Sequence, residues 1–196
     1  MVQSFAPERG RMTLVPFMDH ILPAVQGGMA ADIFSGKRYP NLKWIRPIDA
    51  GVTRLEEKDT PATPLRVFTT AMRTTPREWV EAVTGLTFTT CEAEIFAQLK
   101  ARNYLCTLGQ AAALADYVLT RSMEAFKNGE RLPLHFDRGN FFFIESAGRL
   151  ILLNMQYCSQ NDWSPVPRSM DTHFPPGQHV IIPNYKVQMA PKGNGV

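Results

Sequence analysis

Cys91 is the residue best placed for nucleophilic chemistry, because its neighbours predict that it begins a helix. Thr89-Thr-Cys-Glu92 has the pattern of a helix capping box, which puts Cys91 in the first turn. Unpaired backbone N–H groups and the helix dipole at that position favour a thiolate. His135 follows in a β-rich segment, where Asn140 or Asn154 could orient its imidazole. These residues predict a Cys-dependent hydrolase or transferase, although a small buried cysteine with no catalytic role gives the same pattern.

The order of these groups along the chain resembles that of papain-like hydrolases, in which a cysteine at a helix start precedes a histidine on a strand. The resemblance spans residues 91–154. It implies that Cys91 is the nucleophile, that His135 is the general base and that Asn154 holds the imidazole in position.

A metal site is a second interpretation of the same region. His135 and Asp137 are separated by one residue, so on a strand both side chains point to one face. His179 or His173 could supply a third ligand, and two histidines with one carboxylate suit Fe(II) chemistry. The alternative is structural, because Asp-Arg-Gly-Asn from Asp137 onward is also a favourable turn sequence.

Two segments of the C-terminal third, 140–154 and 175–184, resemble the core hairpin and the closing motif of a cupin barrel. The resemblance implies a metal-dependent enzyme that uses His135 and Asp137, which stand where cupins have paired histidines. The position of the last cupin histidine is occupied here by the sequence Tyr185-Lys-Val-Gln188.

Composition argues against several classes of partner. The chain has 196 residues and a formal net charge of +3, and its longest cationic run is Lys37-Arg38. Nucleic-acid binding normally requires a clustered basic surface, so no nucleic-acid partner is predicted. The longest apolar runs have four or five residues, and a membrane helix needs about twenty, so no membrane partner is predicted.

Three cysteines without a CxxC pair predict a reducing, cytoplasmic environment. The absence of nucleotide-binding motifs predicts that the protein has no cofactor.

The elements that must position these residues are clearest in the middle of the chain. Thr75-Pro-Arg-Glu78 and Thr107-Leu-Gly-Gln110 are two further capping boxes, and Gly85 and Gly129 follow as helix stops. The apolar spacing from Leu108 to Phe126 predicts one long helix. A layer of three helices is therefore predicted over about 75–128.

The remaining residues predict strands and loops. Leu65–Thr70, 134–136, 140–145, 149–157 and 179–182 have β patterns, with a tight hairpin at Ser146-Ala-Gly148 and a long polar loop over 159–177. The predicted fold is α+β, with the helical layer packed on a mostly antiparallel sheet from the C-terminal third.

Prolines interrupt residues 1–64 at intervals that forbid long helices. We expect an irregular N-terminal arm there, with extended pieces at 43–48 and 52–56, then a single domain over 65–189 and a flexible tail over 190–196. Such an arm gains more by lying across another molecule than by folding alone. The leading prediction is therefore a non-enzymatic assembly protein, whose partner is another protein or a second copy of the chain. The Cys-dependent enzyme and the cupin-like enzyme are the alternatives.

Overall fold

The computed structural model describes residues 14–28, 31–32, 59–87, 91–158 and 162–185. The extended pieces predicted at 43–48 and 52–56, and the predicted tail at 190–196, lie outside these ranges. The described elements are β1 (Leu14–Leu22), β2 (Thr63–Thr70), α1 (Pro76–Thr84), α2 (Glu92–Ala101), α3 (Leu108–Asn128), β3 (Asn140–Ser146), β4 (Arg149–Cys158), β5 (Asp162–Arg168) and β6 (His179–Pro183).

The described strands form one mixed sheet in the order β1-β2-β6-β3-β4-β5. β6 pairs with β3 in parallel, and every other neighbouring pair is antiparallel. Together with the three helices, this sheet confirms the predicted α+β fold. None of these helices is long and apolar enough to cross a membrane.

Alternating residues of the central strands separate two cores on opposite faces of the sheet. Phe142 and Ile144 pack in one core with the buried side of α3. Phe141 and Phe143 pack in the other core with Trp79 of α1 and with α2. The three helices are therefore divided between the two faces, with α3 on one and α1 and α2 on the other.

Local signals place the ends of two helices and the central hairpin as predicted. Thr75 and Thr107 form complete capping boxes, and α1 and α3 end at glycines in the left-handed conformation. The β3–β4 turn consists of Ala147 and Gly148, both with positive φ, as a two-residue type I′ turn requires. The capping box predicted at Thr89-Thr-Cys-Glu92 is wrong, because α2 begins two residues later than a cap at Thr89 requires. The residue that caps α2 is Cys91, which makes no side-chain capping bond.

The loop predicted over 159–177 contains a strand instead. Residues 162–168 form β5, which pairs with β4 at one edge of the sheet. Pro165 and Pro167 are two residues apart, so their missing N–H groups fall on the same side of the strand. An edge strand tolerates this loss on its open side. Trp163 of the same strand is fully buried and packs against Phe136 and Tyr157.

Part of the predicted N-terminal arm also belongs to the sheet. Residues 14–22 form β1, the opposite edge strand, which pairs with β2. Its register shifts between Pro16 and Met18, so Phe17 is the extra residue of a β-bulge. A bulge redirects side chains, and Phe17 and Met18 both pack toward the core beside α3.

Candidate functional site

The loop between α3 and β3 carries His135 and is held in place by one buried side chain. Asn140 accepts a hydrogen bond from the His135 backbone N–H at 2.6 Å through Oδ1. Its Nδ2 donates to the backbone carbonyls of His135 at 2.8 Å and Met155 at 2.9 Å. The strand predicted over 134–136 is therefore wrong, because the backbone of His135 is paired with a side chain rather than with a neighbouring strand.

Further buried polar groups continue this network across the end of the sheet. Asn154 Oδ1 accepts from the Asn140 backbone N–H at 3.1 Å, and Gln178 Oε1 accepts from that of Gly139 at 2.8 Å. A Cβ at Gly139 would lie 2.6 Å from Gln178 Oε1 and 2.9 Å from Asn154 Oδ1, so a larger residue there would displace these side chains. These bonds give Asn154 a structural role, in which its acceptor is directed at the backbone.

His135 and His179 lie next to each other, and backbone groups select their tautomers. The ring centroids are 5.4 Å apart, with the ring planes at 76°. His179 Nδ1 lies 3.0 Å from the Pro133 carbonyl oxygen, which can only accept, so this nitrogen carries the proton. His135 Nδ1 accepts the backbone N–H of Asp137 at 3.2 Å, so in the neutral ring the proton is on Nε2.

The surroundings of His179 keep it neutral at physiological pH. Burial is the main cause and lowers its pKa to about 4. The hydrogen bond to the Pro133 carbonyl opposes this change, and the neighbouring His135 adds to it. The pair therefore presents a lone pair on His179 Nε2 and, from neutral His135, a donor at Nε2.

Of the three predicted metal ligands, His135, Asp137 and His179, the structure brings the two histidine rings together. Within the described ranges, no group of three or more His, Cys, Asp or Glu side chains is placed to hold a metal ion. Asp137 meets His135 through its backbone N–H rather than its carboxylate. In that neutral tautomer His135 has no free lone pair on Nε2, which disfavours ligation there. The metal site stays a prediction.

The structure does not bring Cys91 to His135. Cys91 is exposed and precedes α2, whose Ile95 and Leu99 pack in the core of Phe141 and Phe143. The ring of His135 contacts the ring of His179 on β6. The next residue, Val180, packs in the core of Phe141 and Phe143, so the side chain of His179 points to the opposite face of the sheet. The nucleophile and the base of the predicted hydrolase lie on opposite faces of the sheet.

One surface feature contradicts the sequence pattern. Phe126 belongs to the apolar spacing that predicts the long helix, yet its side chain is 86% exposed, and that of Met123 is 70% exposed. The buried residue at the end of α3 is the neighbouring Ala125. A residue one position away is rotated by about 100° around the helix, and apolar type alone did not distinguish these two positions.

Comparison of the chain with protein-family models, with curated proteins and with solved structures finds no match.

Proposed function

We propose that the protein is a non-enzymatic assembly protein and that α3 carries the surface that joins two copies. The observation that carries this proposal is the exposure of Met123 and Phe126 on one side of that helix. β1, which contains residues 14–22 of the expected arm, is built into the sheet, so α3 is the better-supported contact surface.

The two exposed side chains extend an apolar stripe that starts at Leu119, which packs partly against the core. The intervals from Leu119 to Met123 to Phe126 are four and three residues, the spacing of the contact residues between packed helices. Burying a large apolar side chain contributes about 1.5–3 kcal/mol, so water-exposed Met and Phe at this spacing favour association.

A second copy of α3 is the occupant that fits this stripe. When two such helices pack antiparallel about a two-fold axis between residues 123 and 126, Phe126 of each copy meets Met123 of the other. Sulfur–aromatic contacts of this kind are favourable. An isologous contact uses the same patch on both copies and closes at two subunits, so we expect a dimer rather than a polymer.

The test is the mass in solution of the native chain and of Phe126→Lys. We expect the native protein to sediment at twice its chain mass of 22.1 kDa, and the variant to sediment as a monomer with unchanged circular dichroism. Because Phe126 is exposed, the substitution removes no core contact.

Ile21→Lys is the matched control, since Ile21 is 67% exposed but lies on β1. This variant should remain a dimer. A native protein that is monomeric at high concentration, or a dimer that survives Phe126→Lys, would contradict the α3 interface.

The cytoplasmic location and the lack of a nucleic-acid partner stay predictions from composition. The free thiols of Cys91 and Cys106 are compatible with a reducing compartment.

A further inference from the structure

The methionines in the described ranges differ in how far water reaches their sulfur atoms. Met155 is fully buried and Met170 is nearly so, while Met18 packs partly against the core beside α3. Met123 is 70% exposed, and Met72, in the turn between β2 and α1, is 51% exposed. Oxidants react with a thioether sulfur where the side chain is accessible, so within these ranges Met123 and Met72 are the methionines open to oxidation.

Met123 differs from Met72 in its surroundings on the surface. It lies three residues before Phe126 on α3, so the two side chains are neighbours on one side of the helix, and both are exposed. In the two-fold arrangement of the proposed dimer, the Met123 sulfur of each copy meets the Phe126 ring of the other copy. A sulfur that is open to oxidants in the single chain is therefore covered in the dimer.

We propose that Met123 is a site of reversible oxidation by hydroperoxides, and that its sulfoxide separates the two copies joined through α3. This inference rests on the proposed α3 interface. A lone pair of the sulfur attacks one peroxide oxygen, so that an S–O bond forms as the O–O bond breaks. The proton on the transferred oxygen passes to the leaving oxygen, which departs as water or an alcohol. The sulfur loses two electrons and the peroxide gains them, so the hydroperoxide is the only other reactant.

The sulfoxide weakens the interface because its oxygen is polar. Against the Phe126 ring this oxygen loses its hydrogen bonds to water and gains no donor in return. The contact occurs twice in each dimer. Loss of one buried apolar side chain weakens association about tenfold or more, so oxidation of both copies should raise the dissociation constant at least about 100-fold. A methionine sulfoxide reductase restores the thioether, and the dimer should then form again.

Dimer formation protects Met123 in turn, because the coupling between association and oxidation is reciprocal. At a chain concentration about 100 times the dissociation constant, mass action leaves about 7% of the chains free, so oxidation of Met123 should slow about 15-fold. The rate at Met72 should not depend on the chain concentration. Equal rates at Met123 in dilute and concentrated protein, measured on a chain that does dimerise, would overturn the proposal.

The experiment treats the native chain with dilute hydrogen peroxide and samples it at intervals. Peptide-resolved mass spectrometry measures the sulfoxide at each methionine, and analytical ultracentrifugation measures the mass of the particle. We expect the 22.1 kDa monomer to appear in step with the Met123 sulfoxide, with unchanged circular dichroism. A dimer that persists with Met123 fully oxidised would overturn the oxidation site and leave the α3 interface standing. An untreated chain that is already monomeric would contradict the interface itself and the oxidation site with it.

Two substitutions identify the sulfur that responds. Met72→Leu is the matched control, because Met72 lies outside α3, and this variant should dimerise as the native chain does and dissociate in peroxide. Met123→Leu should form a weaker dimer, since leucine lacks the sulfur, and peroxide should leave its dissociation constant unchanged. If Met123→Leu forms no dimer, Met72→Leu decides, because its dissociation must still follow the Met123 sulfoxide. Dissociation of Met123→Leu by peroxide, or resistance of Met72→Leu to it, would reject the proposal.

Discussion

At the scale of single residues, the side-chain amide of Asn140 holds the loop that precedes β3. It is fully buried and satisfies donors and acceptors of the 133–139 loop and of β4. Because a buried backbone group without a partner is costly, one side chain can replace the strand pairing that this loop lacks. The position of His135 beside His179 depends on this amide.

We expect Asn140→Ala to lower the free energy of unfolding by about 3 kcal/mol, because several backbone groups lose their partner. Urea denaturation followed by tryptophan fluorescence measures the change. Asn154→Ala is the matched comparison, since it removes the acceptor of one backbone N–H, and it should cost about 1 kcal/mol. Equal effects of the two substitutions would show that the loop is held by other contacts.

At the scale of elements, the described helices α1, α2 and α3 differ in how they begin. α1 and α3 start with complete capping boxes, whereas the side chain of Cys91 makes no capping hydrogen bond at the start of α2. A capping hydroxyl is worth about 1 kcal/mol over a residue that cannot cap. α2 therefore begins less favourably than its neighbours.

The substitution Cys91→Ser should raise the free energy of unfolding by about 0.5–1 kcal/mol, because Ser can accept from the first turn of α2. Thr107→Ala, which removes an existing cap, should lower it by about 1 kcal/mol. Thermal denaturation monitored by circular dichroism measures both. A destabilised Cys91→Ser protein would indicate that the thiol has contacts that a hydroxyl cannot replace.

At the scale of the whole molecule, one sheet separates two cores, and Cys106 and Cys91 lie on opposite sides of this sheet. Cys106 lies in the α3-side core, and burial raises the pKa of its thiol to about 12. Cys91 is exposed at the start of α2, which packs on the other side. Cys106 can therefore react only when the α3-side core opens.

Iodoacetamide at pH 8, with peptide-resolved mass spectrometry, should alkylate Cys91 in the native protein and leave Cys106 unmodified. Denaturant should expose Cys106 as the sheet unfolds. The substitution His135→Ala should not change the rate at Cys91, because the two residues lie on opposite faces of the sheet. A rate that falls several-fold in that variant would restore the Cys-dependent hydrolase as a candidate.

Interactions within a few residues could be predicted from the sequence. The capping boxes at Thr75 and Thr107, the glycine stops and the Ala147-Gly148 turn each depend on neighbouring side chains and on backbone conformations that glycine adopts easily. The α+β class followed from the change of apolar spacing after these helices. These features are local, so the sequence by itself determined them.

The tertiary structure decided which strands are edges and which residues meet. The sequence predicts an irregular arm that includes residues 14–22 and a loop that includes residues 162–168, but both proline-bearing segments form edge strands, because the open side of an edge needs no N–H. The residue types of Cys91 and His135 suggest that they act together, but the structure places them on opposite faces of the sheet. His135 and His179 are far apart in sequence, yet their ring centroids lie 5.4 Å apart. Such contacts depend on strand order and on the face to which each side chain points, which local spacing does not specify.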